Sequence, residues 1–159
     1  MDIRPIQPDD FDAVKDFVEH AFEPIFESFE QILGEQVFPL VYPDWRGLHR
    51  GFIDTFYNDE NMTSLIAVID DQPAGYIVYH MTPKEKTGVI EFLAVNPNFQ
   101  NRGIGTQLND HVIDTMREAG IKVVSVGTGG DPSHAPARHT YEKSGFKPLP
   151  SVWYFRHID

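Results

Sequence analysis

Residues 89–120 read VIEFLAVNPNFQNRGIGTQLNDHVIDTMREAG, and three changes of pattern inside them decide the fold. Val89 to Val95 is apolar with a single charge, Glu91, which is the composition of a strand inside a sheet. Asn96, Pro97 and Asn98 stop it. Leu108, Val112, Ile113 and Met116 then recur at helical spacing, so Gly103 and Gly105 fall where a helix begins. The first N–H groups of a helix have no internal acceptor, and the helix dipole adds partial positive charge there. With Arg102 alongside, this turn suits a phosphate. A glycine pair alone is equally the mark of a tight strand-to-helix turn.

Outward from this unit, Lys122 to Val126 is a short apolar strand, expected to run parallel to the first through a crossover. Upstream, Ser64 to Ile69 and Ala74 to His80 are β-rich runs joined by Asp70-Asp71-Gln72-Pro73, which predicts a hairpin. Pro83 to Gly88 turns into the central strand, giving three consecutive antiparallel strands. Ile3 to Ile6 is a further short strand. Pro8-Asp9-Asp10 then opens an amphipathic helix carrying Phe11, Val14, Phe17, Val18 and Phe22. Val152 to His157 reads as an aromatic strand pairing close to Phe146.

Glu23 to Tyr57 is less periodic. Helical fragments at Phe26 to Leu33 and Leu48 to Tyr57 are broken near Gly34, Pro39 and Pro43. The stretch is rich in aromatics (Phe26, Phe29, Phe38, Tyr42, Trp45) and acids (Glu23, Glu27, Glu30, Glu35, Asp44). Two readings are open: core aromatics with a solvated acidic face, or a pocket with apolar walls and a negative rim.

A chain of 159 residues forms one domain, residues 1–159, with one core. The absence of cysteine excludes disulfides, thiolate nucleophiles and cysteine zinc sites. The seven histidines are scattered without His-x-x-x-His or His-Glu-x-x-His spacing, so no metal is expected. No apolar run approaches the roughly 20 residues of a membrane span, and the N-terminus is acidic where a signal peptide is basic. The expectation is a cytoplasmic protein without a membrane or nucleic-acid partner. A net charge of -11 points the same way, since phosphate backbones are bound by clustered Lys and Arg. Cationic substrates remain compatible.

Gln100-x-x-Gly103-x-Gly105, preceded by Leu93-Ala94-Val95 and Pro97, resembles the acetyl-CoA-binding signature of the GNAT superfamily of N-acetyltransferases. The resemblance runs from about Ile3 to the C-terminus and is sharpest between Val89 and Phe146. It implies an α/β fold: a mixed, mostly antiparallel sheet of six to seven strands, about four helices, and a splayed central strand pair between which the cosubstrate inserts. It implies backbone contacts from Leu93, Ala94 and Val95, with the Leu93 N–H as oxyanion donor. The amides of Asn101, Arg102, Gly103, Ile104, Gly105 and Thr106 would hold the pyrophosphate, with Gln100 also at the cofactor. His134 stands where the family most often has Asn near the cofactor, and Tyr141 matches the family tyrosine near the cofactor sulfur. Members are often homodimers.

Direct acyl transfer from a thioester needs an unprotonated amine, oxyanion stabilisation and a proton for the leaving thiolate. Tyr141 is the expected acid. Glu91 is the catalytic base candidate on the central strand, two residues from Leu93 and on its face if no bulge intervenes. The family's base on that strand falls nearer position 89, which is Val89 here. His80, Asp131 and His134 are the other candidates. The expected function is transfer of acetyl from acetyl-CoA to a primary amine of a small molecule or peptide. The alternative is a non-catalytic acyl-CoA-binding sensor or partner module.

Overall fold

The computed structural model describes residues 1–159 and contains one five-stranded sheet in the order β1-β2-β3-β4-β5. β1 (Asp2–Pro5), β2 (Thr63–Ile69), β3 (Gln72–Thr82) and β4 (Thr87–Val95) pair antiparallel in sequence, and β5 (Val123–Val126) runs parallel to β4. Four α-helices accompany them: α1 (Phe11–Val41), α2 (Trp45–Asn58), α3 (Ile104–Glu118) and α4 (Ala135–Lys143). Asp70 and Asp71 make the two-residue hairpin loop, both with positive φ, as the twist of flanking strands favours.

The sheet is buried on both faces. Ile104, Leu108, Val112 and Met116 of α3 pack with Ile77, Tyr79 and Ile90 on one face. Val14, Phe17 and Val18 of α1 and Ile53 of α2 pack with Tyr76, Val78, Phe92 and Ala94 on the other. The apolar periodicities read from the sequence are these contact faces.

Two expectations are corrected. There are five strands, not six to seven, because residues 147–159 form no regular structure. Pro148 and Pro150 each lack a ladder N–H where pairing near Phe146 would start, and Trp153 and Tyr154 stay exposed. The first helix does not stop near Glu23 but runs on past Pro24 to a single break at Gly34, and Pro39 lies inside the short helical segment beyond it.

At Gly34 the backbone takes φ 73 and ψ 174, a region open in practice only to glycine. The chain reverses there, so Tyr42 packs on Phe26 at 5.3 Å and on Phe29 at 5.5 Å. Sixteen residues of unbroken helix would hold Phe26 and Tyr42 about 24 Å apart.

The condition set on Glu91, that no bulge intervene, fails in β4. Val78 pairs with Phe92 but Tyr79 pairs with Ile90, so Glu91 is the extra residue of a β-bulge. Leu93 packs with the α3 cluster while Phe92 and Ala94 face the α1/α2 cluster. The simple two-residue alternation that would place Glu91 beside Leu93 is thereby broken.

Candidate active site

β4 and β5 pair only from Thr87 to Ile90 against Val123 to Val126. From the Glu91 bulge onward β4 has no neighbour on that side. The Asn96 N–H donates to Ala74 O at 3.0 Å, toward β3. By antiparallel alternation Ala94 and Phe92 also turn their backbone groups to β3, which leaves the amides and carbonyls of Leu93 and Val95 on the open edge. The Val95 carbonyl accordingly accepts from Gln100 Nε2 at 3.4 Å on that side. Ala94, expected beside them, is sealed between β3 and the α1/α2 face.

The open edge runs into the start of α3. Gly103 sits at the N-cap with φ 75 and offers no side-chain cap, and the first helical bond is Gln107 N–H to Gly103 O. The amides of Ile104, Gly105 and Thr106 therefore have no intrahelical acceptor. Asn101, also at positive φ, and exposed Arg102 flank them, with the Arg102 guanidinium 5.3 Å over the Phe99 ring. A methyl built on Gly105 would meet Thr140 of α4 at 3.5 Å, Val95 at 3.5 Å and Leu93 at 3.9 Å. The strand edge, the helix start and α4 thus converge on one point.

Tyr141 of α4 has its ring buried edge-on against Phe146, 5.9 Å between centroids. Its hydroxyl has no protein partner yet is not sealed from solvent. Burial pushes the phenol up to about 12, so it keeps its proton at neutral pH.

On the α1/α2 side, His80 Nδ1 lies 3.1 Å from Glu91 Oε1, but off the ring N–H direction, so Nδ1 has no hydrogen-bond partner. Asp131 and His134 form a tighter pair. The Asp131 carboxylate accepts from His134 Nδ1, from Ser28 Oγ of α1 at 2.9 Å, and from the Ser133 amide at 3.1 Å and hydroxyl. Burial would raise its pKa, yet the hydrogen bonds from Ser133, His134 and Ser28 outweigh that and hold it at about 2. Phe29 stacks on the His134 ring at 5.6 Å.

A model of the acetyltransferase (GNAT) family matches residues 20–146. The chain belongs to that family. This GNAT chain is 36% identical over 89 residues to a mycothiol acetyltransferase of Beutenbergia cavernae, a stretch covering 54% of this chain and 29% of the relative. It is 33% identical over 94 residues to a ribosomal protein bS18-alanine N-acetyltransferase of Salmonella typhimurium, covering 58% and 61%. It therefore spans less than two thirds of either curated relative. A solved putative GNAT acetyltransferase from Desulfovibrio desulfuricans superposes with TM-score 0.67 at 26% identity over 94% of this chain and 86% of that one.

In the structure the open edge at Leu93 and Val95 continues into the turn and the first amides of α3. Sequence reasoning missed Ser28 and did not connect Phe29 with His134; the two support Asp131 and His134 from 103 and 105 positions away. It also missed His49. That ring is 93% buried among Phe22, Phe26 and Phe52, within 5.2 Å of each. Burial lowers its pKa, against the opposing bond to the Trp45 carbonyl.

Proposed function

We propose that the chain is an N-acetyltransferase that moves acetyl from acetyl-CoA to a primary amine. The observation carrying this reading is the uncovered edge of β4 leading directly into the unpartnered amides of α3. The residues present fit the cosubstrate: the Leu93 and Val95 backbone groups can pair with an amide-bearing arm laid along the edge, and the Ile104 to Thr106 amides with Arg102 suit a diphosphate. Acetyl-CoA supplies an activated acyl group, a carbonyl carbon on a thiolate leaving group.

The Leu93 N–H, aimed out of the sheet, holds the carbonyl oxygen as charge develops on it. Tyr141 gives its proton to the departing sulfur. The bulge at Glu91 opens the strand edge and sets a negative charge on the acceptor side, next to His80.

The acceptor wall supports a cationic amine. Between α1 and residues 38–46 lies a cavity of about 340 Å³ with Phe26, Phe38, Tyr42 and Trp45 in its walls. Its carboxylates, Glu23, Glu27, Glu30 and Asp44, face one lining cation, Arg46, which stacks on Trp45 at 4.3 Å and pairs with Glu23. Rings and acids together hold Arg46, and the same chemistry favours an alkylammonium group. Of the two readings of residues 23–57, this supports the pocket.

Acetyl-CoA-dependent thiol release across polyamines, amino acids, aminoglycosides and short peptides tests the reading. Release above the no-acceptor rate with one amine class supports it. Acetyl-CoA binding with silence on every amine would favour a sensor module instead.

A further inference from the structure

We propose that His134 takes the proton from the attacking amine and that Asp131 positions it for that step. The assignment rests on the amine-acetylation reading above and deepens it by naming the base.

The hydrogen bonds fix the imidazole's tautomer. An ionised carboxylate only accepts, so His134 Nδ1 carries the proton toward Asp131, and in the neutral ring Nε2 presents a lone pair. Nothing in the chain bonds that Nε2, and the atom is not sealed in. Asp131 is itself pinned by Ser28 and by Ser133, so the carboxylate cannot swing away to solvent. Arg138 closes the loop from below, its guanidinium donating to Gly129 O at 2.6 Å and to Asp131 O at 2.8 Å. Three parts of the chain, α1, the loop after β5 and α4, thus hold one ring in place. A base that needs no reorganisation is the arrangement proton transfer favours.

No other candidate has this support. The His80 and Glu91 contact is out of hydrogen-bond alignment, and His80 Nδ1 is left unpartnered. His134 is also on the acceptor side. Phe29 stacks on it at 5.6 Å and on Tyr42 at 5.5 Å, and Tyr42 lines the aromatic, acidic cavity. Along α4, His134 and Tyr141 are seven residues apart, which puts them on one side of the helix about 10 Å from each other. Base and acid therefore occupy opposite ends of one short helix, with the β4 edge meeting that helix at Thr140.

The step balances. The amine nitrogen forms its bond to the acetyl carbon as the carbon–sulfur bond breaks. His134 Nε2 receives the amine proton, directly or through one water, and the sulfur leaves with the Tyr141 proton. Amide and free thiol are released, and solvent returns a proton to Tyr141 and removes one from His134.

The test uses the full chain and the best amine from the acceptor panel. Expected results are a kcat fall of about 10²-fold or more in His134→Gln with acetyl-CoA affinity by calorimetry unchanged, and partial recovery of His134→Ala by added imidazole. Asp131→Asn, which no longer fixes the tautomer, is expected to lower kcat without changing the amine KM. Wild-type kcat in His134→Gln would overturn the assignment alone, as would losses traceable to weaker acetyl-CoA binding or an Ala variant that imidazole does not restore. A wild type silent on every amine would overturn both the assignment and the transfer reading beneath it.

Discussion

His80 Nδ1 and Glu91 Oε1 stand 3.1 Å apart at the bulge where β4 leaves β5, yet no hydrogen bond joins them. Proximity without alignment gives this pair less hydrogen-bond support than Asp131 and His134 have. Glu91→Gln, which keeps the shape and removes the charge, is expected to lower kcat by less than about tenfold, against about 10²-fold or more for His134→Gln. Thiol-release kinetics on the two variants check the order.

The two buried phenols set an alkaline limit on stability. Burial raises both Tyr76 and Tyr141 from 10.0 to about 12. Below pH 10 neither folded nor unfolded chain gives up these protons and stability is intact. As pH rises from about 10 to 12 the unfolded chain ionises them while the folded chain does not, so stability falls by about 2 kcal/mol per tyrosine. Asp131 acts oppositely: held at about 2, it contributes stability above its unfolded value of 3.8, lost as pH falls through 2. Urea titrations with Tyr141→Phe and Asp131→Asn should flatten the alkaline and acid limbs respectively.

Asn109 of α3 is wholly buried, and neither its amide nitrogen nor its oxygen has a partner. Two unsatisfied polar atoms cost more than an apolar side chain of similar size. Asn109→Leu should stabilise the fold by about 1 to 3 kcal/mol in denaturant unfolding.

Gly34 makes the chain reversal that brings Phe38 and Tyr42 back onto α1. A methyl there would meet no neighbouring atom, so any cost is conformational. Gly34→Ala is expected to lose about 1 to 3 kcal/mol. Trp45 emission should change with it, recorded in a Trp153→Phe background because Trp153 is the other tryptophan.

Much of this was legible in the string because it is local. A run of β-branched residues, an Asn-Pro-Asn stop and a helical apolar series fix β4, the turn and α3 within some thirty positions. That the bulge falls at Glu91 was not, because its place arises from how β4 registers on β3, which no spacing within β4 records. The aromatic run at 152–157 has strand composition but, in this structure, no partner, and composition cannot supply one. Of the breaks read near Gly34, Pro39 and Pro43, the chain leaves the helix at Gly34 and again just before α2, while Pro39 lies within a helical segment. At the site, the turn before α3 and the candidates Asp131 and His134 were readable, and the groups that hold those two were not. Ser28 meets Asp131 and Phe29 meets His134 across more than a hundred positions, and the fold-back at Gly34 then brings Tyr42 onto Phe29.

The central claim is that the open β4 edge and Tyr141 together carry out acetyl transfer. The most direct test is amine-dependent thiol release by the wild type and by Tyr141→Phe, with acetyl-CoA affinity measured on both. The account predicts turnover in the wild type, a fall of about 10²-fold or more in kcat for the variant, and equal affinities. Wild-type turnover in Tyr141→Phe, or acetyl-CoA that fails to bind either protein, would contradict it.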